Sequence, residues 1–253
     1  MQTHLLLEKM RLLSTALLAG ILLNGCYQHK PTSTPQVVPQ QEPITAPVVT
    51  TPITDDKVAY MTQLGLVKGH LLVGYELYMA GHHDHAKTHM KHPESELYSD
   101  LLPAFSRYQQ PGFAHELSQL ANAVNNDLGR KKVSQRYHAL VKKIEQHQVL
   151  TSRDVAQQFK TVVQLLNVAA EEYGIAVVDG EMKNAHEYQD AFGFTKVAHE
   201  ALMALPDSQE KEQAVELIKQ IKPHWPSLIP PTQLTTNAEL IDQIASKISQ
   251  LNQ

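Results

Sequence analysis

The sequence predicts an all-α protein, a bundle of about 6–8 helices carried behind a disordered tether rich in proline, threonine and glutamine. Three observations carry this. Apolar residues recur at spacings of three and four over most of the chain beyond residue 54, alternating strand patterns are missing there, and prolines crowd the stretch between Tyr27 and Ile53. Stripes with a period near 3.6 give each helix one apolar face to bury.

The chain starts with Glu8, Lys9 and Arg11, followed by an apolar run from Leu12 to Leu23. That run is long enough for a secretion leader and too short to cross a bilayer of ~30 Å. It ends in Leu23-Asn24-Gly25-Cys26, which resembles the lipobox of bacterial lipoproteins, with Asn24 departing from the usual small residue. The resemblance implies that 1–25 is a signal peptide and that Cys26 receives the lipid, a palmitate-type anchor in the membrane. Tyr27 in place of an aspartate points to the outer membrane, with the protein facing the periplasm. Cys26 is the sole cysteine, so no structural disulfide can form and the domain must be stable through packing.

Residues 26–53 then form the expected tether. Pro31, Pro35, Pro39, Pro43, Pro47 and Pro52 recur without glycine, a composition that favours extended polyproline II. At ~3.1 Å per residue it reaches roughly 80 Å from the bilayer. Residues 54–253 are expected to make one helical domain of ordinary size. The formal charge of the chain is −4, and removing Lys9, Arg11 and Glu8 with the leader leaves −5. Nucleic acid is therefore not an expected partner, since its recognition needs a basic face.

A first long helix is expected over roughly 56–80. Further stripes run Phe113, Leu117, Leu120, Val124, Leu128; Val133, Tyr137, Leu140, Ile144; and Ile241, Ile244, Ile248, Leu251. Thr151-Ser152-Arg153-Asp154 resembles a capping box. After it Val155, Phe159, Val162, Leu166, Ala169, Tyr173 and Val177 mark a helix over 153–178. Asp179-Gly180 breaks that helix, and Met182, Ala185, Tyr188, Phe192, Thr195, His199 and Leu202 mark a second over 181–204. The two should pair as an antiparallel helical hairpin, which sets Glu172 opposite Glu187 and Tyr173 near His186.

Two constellations hold the candidate chemistry. Gly81 to Pro93 contains His82, His83, His85, His89 and His92, five of the 14 histidines. On a helix, imidazoles three or four apart share a face and can share a transition metal. The expected site is His70, His85, His89 and His92, with Glu96 as an oxygen ligand. Gly65, Gly69 and Gly74 leave room either for a neighbouring helix or for a ligand beside His70. The hairpin supplies a second candidate in Glu172, His186, Glu187 and Asp190, which reads either as a surface salt-bridge network or as the carboxylate set with which bundles hold iron or manganese.

No Glu-x-x-His, zincin, Gly-x-Ser-x-Gly, P-loop or dinucleotide motif occurs. An enzyme is therefore not the expected reading. Tyr173 to Asn184, then Glu187-Tyr188-Gln189-Asp190 and Phe194, resembles a helical segment found outside the membrane in bacterial iron permeases of the FTR1 type. The permease's membrane helices and Arg-Glu pattern are missing here, so the resemblance implies at most a stand-alone relative of the accessory domain. The expected function is a lipid-anchored envelope protein that binds a transition metal (Fe, Zn or Cu) for binding or delivery. The alternative is a structural or interaction lipoprotein that docks an envelope partner and has no metal site. A metal-dependent hydrolase is the weaker third reading.

Overall fold

Why the long first helix starts and stops where it does is visible at its two ends. In the computed structural model, which describes residues 53–90, 93, 97–151 and 153–252, helix α1 spans Lys57–Ala80. The Asp56 carboxylate accepts from the Ala59 amide at 3.0 Å and so caps the N-terminus. At the other end Gly81 takes φ 91°, and the amides of Gly81 and His82 donate to the Tyr78 and Leu77 carbonyls. That pair of bonds is a Schellman motif, which glycine accommodates without a Cβ penalty. The expected signal peptide, Cys26 and nearly all of the expected tether lie outside the described residues.

The chain continues through α2 (His83–His89), α3 (Tyr98–Arg107), α4 (Ala114–Asn125), α5 (Arg130–Thr151), α6 (Val155–Ala176), α7 (Ala185–Met203), α8 (Gln209–Lys219), a 3₁₀ turn at Lys222–His224 and α9 (Ala238–Gln250). Among the described residues there are thus nine α-helices, one more than the upper expectation. Helices α2, α3 and α8 are too short to have shown a long stripe. Helix α1 is buried on every side from Tyr60 to Gly74, so it is the central element. It packs against α2, α5, α6 and α7, while α6, α7, α8 and α9 pack into a four-helix unit at the carboxyl end. No helix among the described residues is long and apolar enough to cross a membrane.

Two local expectations are corrected. Thr151 is not a cap: it closes α5, its hydroxyl donating to the His147 carbonyl at 2.7 Å. The cap of α6 is Asp154, which accepts from the Ala156 and Gln157 amides. The break at Asp179-Gly180 is also more than a helix end. Val177–Val178 pairs antiparallel with Glu181–Met182 in a two-residue hairpin. Both turn residues have positive φ, 54° and 77°, as the type I′ turn requires and as Asp-Gly permits. The β-branched Val177 and Val178 suit that short ribbon better than a last helical turn.

The glycines of α1 serve close packing. A Cβ on Gly69 would meet the Phe194 ring at 2.5 Å, and one on Gly193 of α7 would meet the Gly69 carbonyl oxygen at 2.6 Å. These facing glycines let the α1 and α7 backbones touch. The residue after Gly69 is His70, and this crossing sets it against α7.

Candidate metal centre

Asp190, on the face of α7 that meets α1, has no exposed surface. A buried carboxylate needs partners, and Asp190 meets three imidazoles. Its Oδ1 lies 2.7 Å from Nδ1 of His70 on α1 and 3.0 Å from Nδ1 of His89 on α2. Its Oδ2 lies 3.1 Å from Nδ1 of His186, one turn back on α7. Glu187 Oε2 stands 3.8 Å from the same His186 nitrogen. Glu172, 1% exposed, reaches in from α6 and interacts with Glu187 across the helical hairpin.

Each ring is oriented by a neighbour. His70 stands edge-on to Phe194, 5.1 Å between centroids at 87°. His89 is fixed through Nε2, 2.9 Å from Gln189 Oε1, while Gln189 Nε2 donates to the Leu228 carbonyl at 2.9 Å. The Leu228 carbonyl can only accept, so it turns the amide NH₂ of Gln189 toward itself and the amide oxygen toward His89. His89 must then donate from Nε2. In the neutral ring this leaves a lone pair on Nδ1, aimed at the Asp190 carboxylate.

The electrostatics follow from burial and from these contacts. Burial pushes the His89 imidazole down, and the nearby Asp190 only partly opposes this. Burial also disfavours charge on His186, yet Asp190 and Glu187 outweigh it and hold His186 up to about 10. For Asp190, burial would raise the carboxyl, but the adjacent histidines, His70 and His186 first, keep it well below the usual carboxylate range. Burial and the adjacent Glu187 and Asp190 push Glu172 well above its ordinary value.

The two constellations expected separately thus meet in one place. Their residues form two groups of three with converging donor atoms: His70, His89 and Asp190, and His186, Glu187 and Asp190. The surface salt-bridge reading of the second group is corrected, because Glu172, Glu187 and Asp190 are buried. His85 is not part of the cluster. It lies exposed on the outer face of α2, because that helix folds back on α1 and turns Ala86 and His89 inward. His92 and Glu96 lie outside the described residues. Gln189 was missed, since nothing but its place beside Asp190 distinguishes it in the sequence.

Chemically, the arrangement suits a cation. Donors bound ~2.1 Å from an ion at right angles to each other sit about 3.0 Å apart, close to the three histidine–Asp190 separations. The mixture of imidazole and carboxylate suits iron, zinc or manganese better than a soft ion such as Cu(I).

Residues 151–253, which carry α6 to α9, match the family described as the iron permease-associated 4-helix bundle domain. No curated protein and no solved structure matches the chain. Glu172, His186, Glu187 and Asp190 fall within the matched stretch, whereas His70 and His89 come from the helices before it.

Proposed function

We propose that this protein binds a transition-metal ion, iron in the first place, in the buried cluster of His70, His89, His186, Glu187 and Asp190, as a binding or delivery protein held at the cell envelope by a lipid on Cys26. The observation that carries the reading is the orientation of His89. Gln189 takes the only proton of the neutral ring, and burial favours that neutral ring, so an unprotonated Nδ1 faces a carboxylate oxygen at 3.0 Å. Two electron-rich atoms at that distance repel unless a proton or a metal ion lies between them, and burial opposes the proton. A metal ion removes the conflict and uses the Nδ1 lone pair as a ligand, with Gln189 fixing the ring from behind in the manner usual for metal-bound histidine.

The match to an iron permease-associated domain supports an iron-related role and favours iron among the candidate ions. The enclosure of the cluster, in which His186 is the most open histidine with its side chain 17% exposed, supports holding an ion over turning over a substrate. The leader and lipobox of the sequence support the envelope address.

Titration calorimetry of the metal-stripped full-length chain tests the reading. Fe²⁺, kept under anaerobic conditions, is expected to bind more tightly than ~10 μM, that is, by more than about 7 kcal/mol. His89→Ala and His70→Ala should each lower the affinity at least tenfold, and His138→Ala should leave it unchanged. Absence of tight binding by Fe²⁺, Zn²⁺ and Cu²⁺ alike overturns the proposal and leaves the interaction module in its place.

A further inference from the structure

We infer that the cluster holds two metal ions bridged by Asp190, one against His70 and His89 and the other against His186 and Glu187, a conclusion that rests on the metal-binding reading above. The two oxygens of Asp190 face different partners. Oδ1 serves the Nδ1 atoms of His70 and His89, while Oδ2 serves the Nδ1 of His186. The donor atoms accordingly fall into two groups of three that have only Asp190 in common. A carboxylate that offers one oxygen to each of two donor sets is the bridging arrangement of two-metal sites, whose ions lie ≈ 3.5–4 Å apart.

The supply of carboxylates points the same way. A single ion held by His70, His89 and Asp190 has no use for Glu187 or Glu172, which reach the cluster only on the His186 side. Glu172 is 1% exposed and faces Glu187 across the helical hairpin. Two buried carboxyls so placed repel unless a proton or a cation lies between them. A second ion there would take both as ligands. The rings of His89 and His186 stack face to face with centroids 4.1 Å apart, and each turns its Nδ1 to a different Asp190 oxygen.

The test is metal stoichiometry, read by equilibrium dialysis with Co²⁺ on the metal-stripped full-length chain carrying His82→Ala and His85→Ala, which removes the exposed histidines at the start of α2. Two equivalents are expected. His186→Ala combined with Glu187→Gln should reduce this to one, and Glu172→Gln, a milder change, should weaken the second equivalent at least tenfold while sparing the first. Circular dichroism is used to check that each variant is folded. A parent chain that saturates at one equivalent overturns the two-ion inference and leaves the single-ion reading intact. Two equivalents that persist in the double variant overturn the assignment of the second ion. No binding at all overturns both.

Discussion

His89 and His186 stack face to face, with ring centroids 4.1 Å apart and planes within 7° of parallel, although one stands on α2 and the other on α7. The stack directs the two Nδ1 atoms to different oxygens of the same aspartate. Two stacked imidazolium ions would repel, so the pair is best accommodated with one ring neutral. Burial dominates at His89 and drives it down, whereas at His186 the two carboxylates outweigh burial and raise it. The neutral ring is the one that Gln189 holds.

Gln189 should therefore matter for metal affinity without touching the metal. Gln189→Leu keeps the volume and removes the oxygen that receives the His89 proton. Affinity for Fe²⁺ is expected to fall about 10–100-fold, the usual effect of losing a group that orients a ligand. The far-ultraviolet circular dichroism should stay the same. Unchanged affinity would show that His89 needs no such support.

The α1–α7 crossing gives a stability prediction with a built-in control. A Cβ at Gly193 would sit 2.6 Å from the Gly69 carbonyl oxygen and 2.8 Å from Val73. Gly193→Ala should cost about 1–3 kcal/mol, as overpacking does. Gly174 on α6 is also helical, but a Cβ there meets only Ala238, at an ordinary 3.6 Å. Gly174→Ala should gain roughly 0.5–1 kcal/mol from the lower entropy of the unfolded chain. Denaturant titration of both variants compares them directly, and equal effects would contradict the packing account.

Much of the fold was legible because helical periodicity is a long-range signal. The bounds expected for the first helix, 56–80, fall within a residue of Lys57–Ala80. Pairing about Asp179-Gly180 sets Glu172 opposite Glu187 from the sequence alone, and the two carboxyls do meet. The site was legible only in parts. Nothing in the spacing of His82, His85, His89 and His92 says which of them turns inward, since that depends on how α2 folds back on α1. Nor does the sequence say that His70 and Asp190 meet, which depends on the facing glycines. The strand at Val177–Val178 leaves no trace in the periodicity, because two residues are too short to show alternation.

The pH dependence of stability is predicted at a distance from the cluster. His147 on α5 is buried against Phe105 and Phe113, and its Nδ1 lies 2.8 Å from the Tyr60 hydroxyl. Burial lowers its pKa in the folded state. Above about 6.5, the unfolded value, both states are neutral and the contribution is complete. As pH falls below that, the unfolded chain takes up a proton that the folded chain refuses, so stability declines down to the folded pKa. Urea midpoints at pH 7.5 and 5.5 should show the decline, and His147→Gln should reduce it, by no more than about 1.4 kcal/mol per pH unit. A variant with an unaltered slope would contradict the assignment.

The proposed envelope address rests on one residue. With no other thiol in the chain, Cys26→Ser should abolish lipid attachment and leave an unprocessed or soluble product. Labelling cells with a palmitate analogue checks this, and label retained on the variant would contradict the lipobox reading.

The central claim is that the buried histidines and Asp190 exist to hold metal. Anomalous diffraction from crystals of the protein grown with Fe²⁺, collected on both sides of the iron edge, tests it most directly. The account predicts anomalous density within ~2.1–2.3 Å of His70 Nδ1, His89 Nδ1 and an Asp190 oxygen, lost in His89→Ala. Density confined to the exposed histidines at the start of α2, with none between His70, His89 and Asp190, would contradict it.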